Sequence, residues 1–215
     1  MIASRFEARL AALDVAEPLA EPVADRVAFL SGQSSYRHSQ LSPTQHELLA
    51  AVTELGYSPL LAGFPFHRAT LAEPWRREPI LPASGRNTAQ FLAAAWRSSF
   101  RAQVARHLGP LFSRTSRRLV LLCGSSGLAL LEAAWPRLEL APGLTVLAIG
   151  LGPVARRVPS HPRLTLVTIQ GRGDWISRLG FAFPPNFRVA GGHLDYAASA
   201  EVRALVTRLA AEFRS

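Results

Sequence analysis

The chain has 215 residues, a single cysteine, and 24 basic against 15 acidic residues, for a net charge of +9. A chain of this length buries roughly 70% of its unfolded surface, enough for one domain without covalent staples, while a lone Cys123 excludes an intramolecular disulfide framework and any cysteine metal-site spacing. No window approaches the ~18 uncharged apolar residues of a membrane span. The opening stretch MIASRFEARLAALDVAEPLAE spreads Arg and Glu through its length, against a secretory signal, so a cytoplasmic protein is expected.

Every basic residue is arginine, and there is no lysine. Arginine suits bidentate recognition of carboxylate and phosphate, so an anionic substrate is compatible with the composition. The arginines are scattered, however, with only the short pairs Arg76-Arg77, Arg117-Arg118 and Arg156-Arg157 and no run interleaved with aromatics. A nucleic-acid partner is not expected from that distribution.

In chain order, residues 4–13 place Phe6, Leu10 and Leu13 at helical spacing, and a proline-punctuated linker follows. Residues 1–25 therefore read as an N-terminal helix and linker, and 26–215 as one domain. VAFLSG (27–32) is the first strand. Ser42-Pro43-Thr44-Gln45 has the composition of a capping box with proline at the first helical position, opening a helix that closes on Gly56. YSPLLAG (57–63) is the second strand. An irregular segment, 64–88, precedes a helix of about 20 residues beginning AQFLAAAW, a length that fits an ordinary globular helix. The remaining strands are RLVLLCG (118–124), TVLAIGL (145–151), LTLVTIQG (164–171) and FRVAGG (187–192), with the helix GLALLEAAW after the third and AEVRALVTRLAAEF closing the chain. The strands are apolar without polar alternation, the pattern of strands covered by helices on both faces. The expected fold is an α/β three-layer sandwich around a mainly parallel sheet of about six strands.

Ligands of such sheets sit beyond the carboxyl ends of the strands. Ser125 and Ser126 follow the third strand in Cys123-Gly124-Ser125-Ser126-Gly127, Asp174 follows the fifth in QGRGDW, and His193 follows the sixth in VAGGHLDY. Each alone has a plain structural use. Small residues serve a strand-to-helix turn, Asp174 could cap a helix beginning at Trp175, and His193 could be a loop histidine. Together they are three strand ends carrying serine, acid and histidine in that order, in a chain with only four aspartates.

In these residues the sequence resembles the α/β-hydrolase family, whose nucleophile stands on a small-x-Ser-x-small turn and whose triad runs serine, acid, histidine. The likeness covers residues 27–215, without the family's first two strands. It implies Ser125 as nucleophile, His193 as base and Asp174 as the acid orienting it, with the N–H groups of Ser126 and Gln33 as the oxyanion hole. Gly124 and Gly127 suit an elbow with little room. Cys123 stands where the family favours glycine, and Gln33-Ser34-Ser35 is not a glycine-rich oxyanion loop. Ser126 is a rival nucleophile and Asp195 a rival acid.

The resemblance implies hydrolysis of a carboxylic ester or thioester through an acyl-enzyme, with no cofactor or metal, on a small acyl substrate that could be anionic. A long loop is often functional, so residues 64–88 are a candidate lid or substrate wall, with Phe64, Phe66, His67 and Trp75 as candidate substrate contacts. The same residues would also fit a loop whose aromatics pack inward. Two other classes stay open: a catalytically idle scaffold of this fold that binds a partner or ligand, and a nucleotide-binding domain using the GSSG turn. The latter ranks last because there is neither GxGxxG nor a Walker lysine.

Overall fold

A computed structural model describes residues 2–14, 18–33, 35 and 38–215. Parts of the linker and of the loop after the first strand, Ser34 included, lie outside the described residues. Six parallel strands, β1 (Val23–Ser31), β2 (Ser58–Leu60), β3 (Thr115–Gly124), β4 (Thr145–Leu151), β5 (Leu164–Gly171) and β6 (Phe187–Val189), form one sheet in the order β2-β1-β3-β4-β5-β6. The order reverses between β1 and β3. The clefts outside the carboxyl ends near such a reversal are where ligands bind in open α/β sheets.

Alternate side chains of each strand feed two cores. Ala28, Leu30, Leu121 and Cys123 pack under α1 (Ile2–Ala12), α4 (Ser98–Ser113) and α5 (Gly127–Ala134), joined by Ala93 and Ala94 of α3 (Ile80–Trp96). Val27, Phe29, Val120 and Leu122 pack under α2 (Pro43–Thr53) and α7 (Ala200–Arg214). The result is an α/β sandwich around a parallel six-stranded sheet. Among the described residues no helix is long and apolar enough to cross a membrane.

Local chemistry accounts for several boundaries. Ser42 Oγ accepts from the Gln45 N–H at 3.2 Å, and the Gln45 side chain accepts from the Ser42 N–H at 2.8 Å, the reciprocal capping box expected at α2. Two boundaries differ from the sequence reading. The predicted division at residue 25 falls inside β1, because Asp25, the last residue assigned to the linker, and Arg26, the first assigned to the domain, are 6% and 2% exposed and pair across to β3. Phe6 and Leu10 of α1 lie in the same core as α4 and α5, so the N-terminal helix is part of that core.

The single helix expected from residue 89 is two. α3 begins at Ile80, with Pro82 tolerated in its first turn, and the chain breaks at Arg97, whose φ of −112° and ψ of 109° are extended. Arg101 of α4 reaches back to the carbonyls the break exposes, donating from Nε to Ala94 O at 2.6 Å and from Nη2 to Ala95 O.

Candidate active site

The turn after β3 puts Ser125 at φ 50°, a left-handed conformation that costs a non-glycine residue of order 1–3 kcal/mol and persists only when its surroundings fix it. Here the end of β4 fixes it. The Ser125 N–H donates to Leu151 O and its carbonyl accepts from the Val154 N–H, both at 3.0 Å. α5 then starts so close to β1 that a Cβ on Gly127 would lie 2.1 Å from Leu30 O, which leaves glycine as the residue for that position. A Cβ on Gly124 would meet the Phe29 ring at 3.1 Å, a contact a small shift could relieve.

The strained serine holds its hydroxyl to His193. Ser125 Oγ lies 2.9 Å from His193 Nε2, and His193 Nδ1 lies 3.0 Å from each carboxylate oxygen of Asp174. A carboxylate only accepts, so Nδ1 carries the ring proton and Nε2 is left to accept from the Ser125 hydroxyl. Asp174 is fully buried. It also N-caps the six-residue helix α6 (Trp175–Gly180) by accepting from the Ser177 N–H at 2.9 Å, so the helix-cap reading and the contact with histidine are both realised. Asp195 turns back on its own loop and accepts from the Gly192 N–H at 2.7 Å. Ser126 Oγ is buried without a partner among the described residues, beside Gly32 and Asn87. Between the two rival pairs, it is Ser125 and Asp174 that meet the imidazole.

Three supports of this arrangement escape a sequence reading. Tyr196 donates its hydroxyl to Asp174 Oδ2 at 2.6 Å while accepting from the Gly171 N–H at 2.7 Å. Burial, and then the bond to Asp174, pushes that hydroxyl up from its ordinary value of 10, so it stays a proton donor. Gly152, at φ 56°, leaves room for both groups, since a Cβ there would lie 2.4 Å from the Tyr196 ring and 2.7 Å from Asp174 Oδ2. Gln90, fully buried, is the third. Gly152 directly follows a strand and could have been noticed, whereas nothing local marks Tyr196 or Gln90.

Gln90 corrects one expectation. The Gln33 N–H donates to Gln90 Oε1 at 3.0 Å and the Gln33 carbonyl accepts from Gln90 Nε2 at 2.7 Å, a clamp from a residue 57 positions away. With that N–H so used, the Gln33 backbone is not an oxyanion donor. The N–H of Ser126, at the start of α5, has no acceptor among the described residues.

The expected substrate contacts in 64–88 are also corrected. Phe64 and Phe66 are 2% and 3% exposed, in the core with α1 and α4. His67 caps the turn Arg68–Thr70 by accepting from the Ala69 N–H at Nδ1, 3.1 Å, and its Nε2 donates to Asp14 O at 2.6 Å, so neither nitrogen is free. The reason is a bridge between Pro18 and His67, with the Leu19 N–H on Phe66 O at 3.2 Å, which stitches this segment to the N-terminal arm. Of the four, Trp75 alone is exposed. From residue 80 the presumed loop is helix α3. Cys123 is fully buried, and burial pushes its thiol up from 9.0, which leaves it an inert core residue. Among the described residues no group of three or more His, Cys, Asp and Glu could hold a metal ion.

No family model matches this chain, and neither does any curated protein. Among solved structures it is similar to an alpha-beta serine hydrolase homologue from Coxiella burnetii, at 15% identity and a TM-score of 0.46, over 88% of each chain.

Proposed function

We propose that this chain is a serine hydrolase of carboxylic esters or thioesters. One observation carries the proposal: the hydrogen-bonded line from a strained Ser125 through His193 to the buried Asp174. A serine alcohol is a weak nucleophile at neutral pH, and a neutral imidazole already accepting from its hydroxyl removes that limit. Ser125 Oγ attacks the acyl carbon as its proton passes to His193 Nε2. Asp174 steadies the imidazolium through Nδ1–H. Negative charge grows on the acyl oxygen, and the Ser126 N–H, aided by the positive end of α5, receives it. The C–O or C–S bond then breaks as His193 returns its proton to the leaving alcohol or thiol. Water repeats the sequence on the acyl-serine, giving its proton to His193, and the serine leaves with that proton to release the acid.

A second reading has its own support: a scaffold of this fold that binds without catalysis. The clamp on Gln33 removes the expected second oxyanion donor, and losing one donor costs roughly 3–4 kcal/mol of transition-state stabilisation. Labelling with a fluorophosphonate probe separates the two. A hydrolase labels in the parent and in Ser126→Ala, but not in Ser125→Ala or His193→Ala. A folded parent that takes no label is a binding scaffold.

A further inference from the structure

Part of the chain's positive charge converges on a cavity that the reaction at Ser125 does not itself use. It encloses about 260 Å³ between the end of α3, the start of α4, α5 and the loop after β4. Trp96, Arg101, Ala129, Glu132, Arg156 and Arg157 contribute to its wall. Arg101 is held in place by the two carbonyls at the end of α3. The Arg156 guanidinium stands over the Trp96 ring, 5.1 Å from its centre. Among the described residues no ion pair joins any of the three guanidiniums to a carboxylate, Glu132 included. Three cations facing one hollow with a single carboxylate between them are an anion site by charge, and guanidinium forks match a carboxylate or phosphate group by shape.

The cavity shares two of its walls with the elements that hold the serine turn. The loop that carries Arg156 is the one whose Val154 N–H donates to Ser125 O at 3.0 Å, two residues earlier. Ala129 lies in the first turn of α5, the helix that follows the serine turn. An anionic group seated against the arginines would therefore be held between the helix that follows Ser125 and the loop that bonds to it.

We infer that the substrate carries a carboxylate or phosphate group, bound in this cavity by Arg101, Arg156 and Arg157, with Glu132 limiting how much negative charge is accepted. The catalytic half of this inference rests on the serine-hydrolase reading, and the binding half does not.

The two halves are measured separately. Calorimetric titration of the Ser125→Ala protein with monomethyl adipate and with glycerol phosphate reads anion binding without turnover, and the preferred probe tells carboxylate from phosphate. Binding of either should weaken about tenfold in Arg156→Ala/Arg157→Ala, as expected for loss of charged hydrogen bonds, and should strengthen in Glu132→Gln. In the active protein, kcat/KM for the nitrophenyl monoester of adipic acid should exceed that for nitrophenyl hexanoate by about tenfold on the same grounds. In the double arginine variant the ratio should fall to near 1. If neither probe binds, or binding ignores both sets of variants, the anion site is wrong even if both esters are hydrolysed. If a probe binds as described and neither ester is turned over, the site stands and the hydrolase reading fails.

Discussion

The two ends of the sheet are built on opposite terms. Where β1 and β3 begin, each charged side chain has a partner. Asp25 takes hydrogen bonds from Arg117 Nε at 2.9 Å and from Arg118 at 3.5 Å. Arg26, 2% exposed, donates to Thr115 Oγ1 at 2.9 Å and to the carbonyls of Glu21 and Arg114, and burial pushes its guanidinium down to about 10. Where the same strands end, Ser125 is held in a left-handed conformation and, among the described residues, the side-chain oxygens of Ser126 and Asn87 are buried without partners. Strain and unmet polar groups persist in a folded chain only where the surrounding structure over-determines them, and they gather at working sites. The paired end is a device for stability and the strained end a device for chemistry, a contrast that can be broken by substitution at either end.

The largest effect is expected at Asp174. Asp174→Asn would leave the imidazole without a pure acceptor at Nδ1 and favour the wrong tautomer, a change that costs about four orders of magnitude in kcat in serine hydrolases generally. Stopped assays against any ester the parent hydrolyses would measure it. A loss below tenfold would mean that Asp174 serves only as the cap of α6.

Gly127 comes next, because a methyl there meets backbone and not a movable side chain. Gly127→Ala should lower stability by about 1–3 kcal/mol, as overpacking does, and should slow fluorophosphonate labelling by displacing the Ser126 N–H. Gly85 in α3 and Gly109 in α4 are the controls, since a Cβ at either meets nothing within 4 Å. Alanine at those positions should raise stability by about 0.4–1 kcal/mol. Thermal denaturation of the three variants decides it, and a Gly127→Ala protein as stable as the parent would remove the steric account of the elbow.

Tyr196→Phe should act more gently. It deletes the hydrogen bond to a charged acceptor, worth about 1.5–3 kcal/mol, together with the one accepted from the Gly171 N–H, and leaves Asp174 its bonds to His193 and Ser177. As Tyr196 positions Asp174 and touches no substrate, kcat should fall about tenfold with KM unchanged, and the acid limb of the pH–rate profile should shift. A purely structural role would lower the melting temperature and leave that limb in place.

How much of this was legible beforehand follows from the range of the forces involved. Local chemistry wrote itself into the sequence: the Ser42–Gln45 capping box, the apolar strands and the glycine that a tight elbow requires could all be read within a few residues. Ser125, Asp174 and His193 could be singled out because a parallel sheet gathers its strand ends in one place. What could not be read depends on partners distant in the chain. Nothing near Gln33 announces that Gln90 will occupy its N–H, and nothing near Phe64 or His67 announces that Pro18 and Leu19 will cover them. Asp25 passed for linker because its neutralising partner Arg117 comes 92 positions later, in a strand that only the fold brings alongside.

Asp25 supplies the smallest effect, and the one that tests the stable end. The hydrogen bond from Arg117, opposed in part by burial and helped by the charges of Arg117 and Arg118, holds its carboxyl below the ordinary value of 3.8. A carboxyl whose pKa is lowered by folding adds stability that is complete above its unfolded value and is lost as pH falls through the folded one. Asp25→Asn should therefore lower the melting temperature by a few degrees at neutral pH, because Arg117 is largely exposed and water screens the pair. The gap between parent and variant should stay constant from pH 8 down to about 5, then close as the parent's carboxyl is protonated below pH 4. Turnover at saturating substrate should not change at any pH where both proteins are folded, since Asp25 sits at the opposite end of β1 from the loop that reaches Ser126. If Asp25→Asn slows turnover while leaving the melting temperature alone, the two ends are not separate devices, and the division between stability below and chemistry above has to be given up.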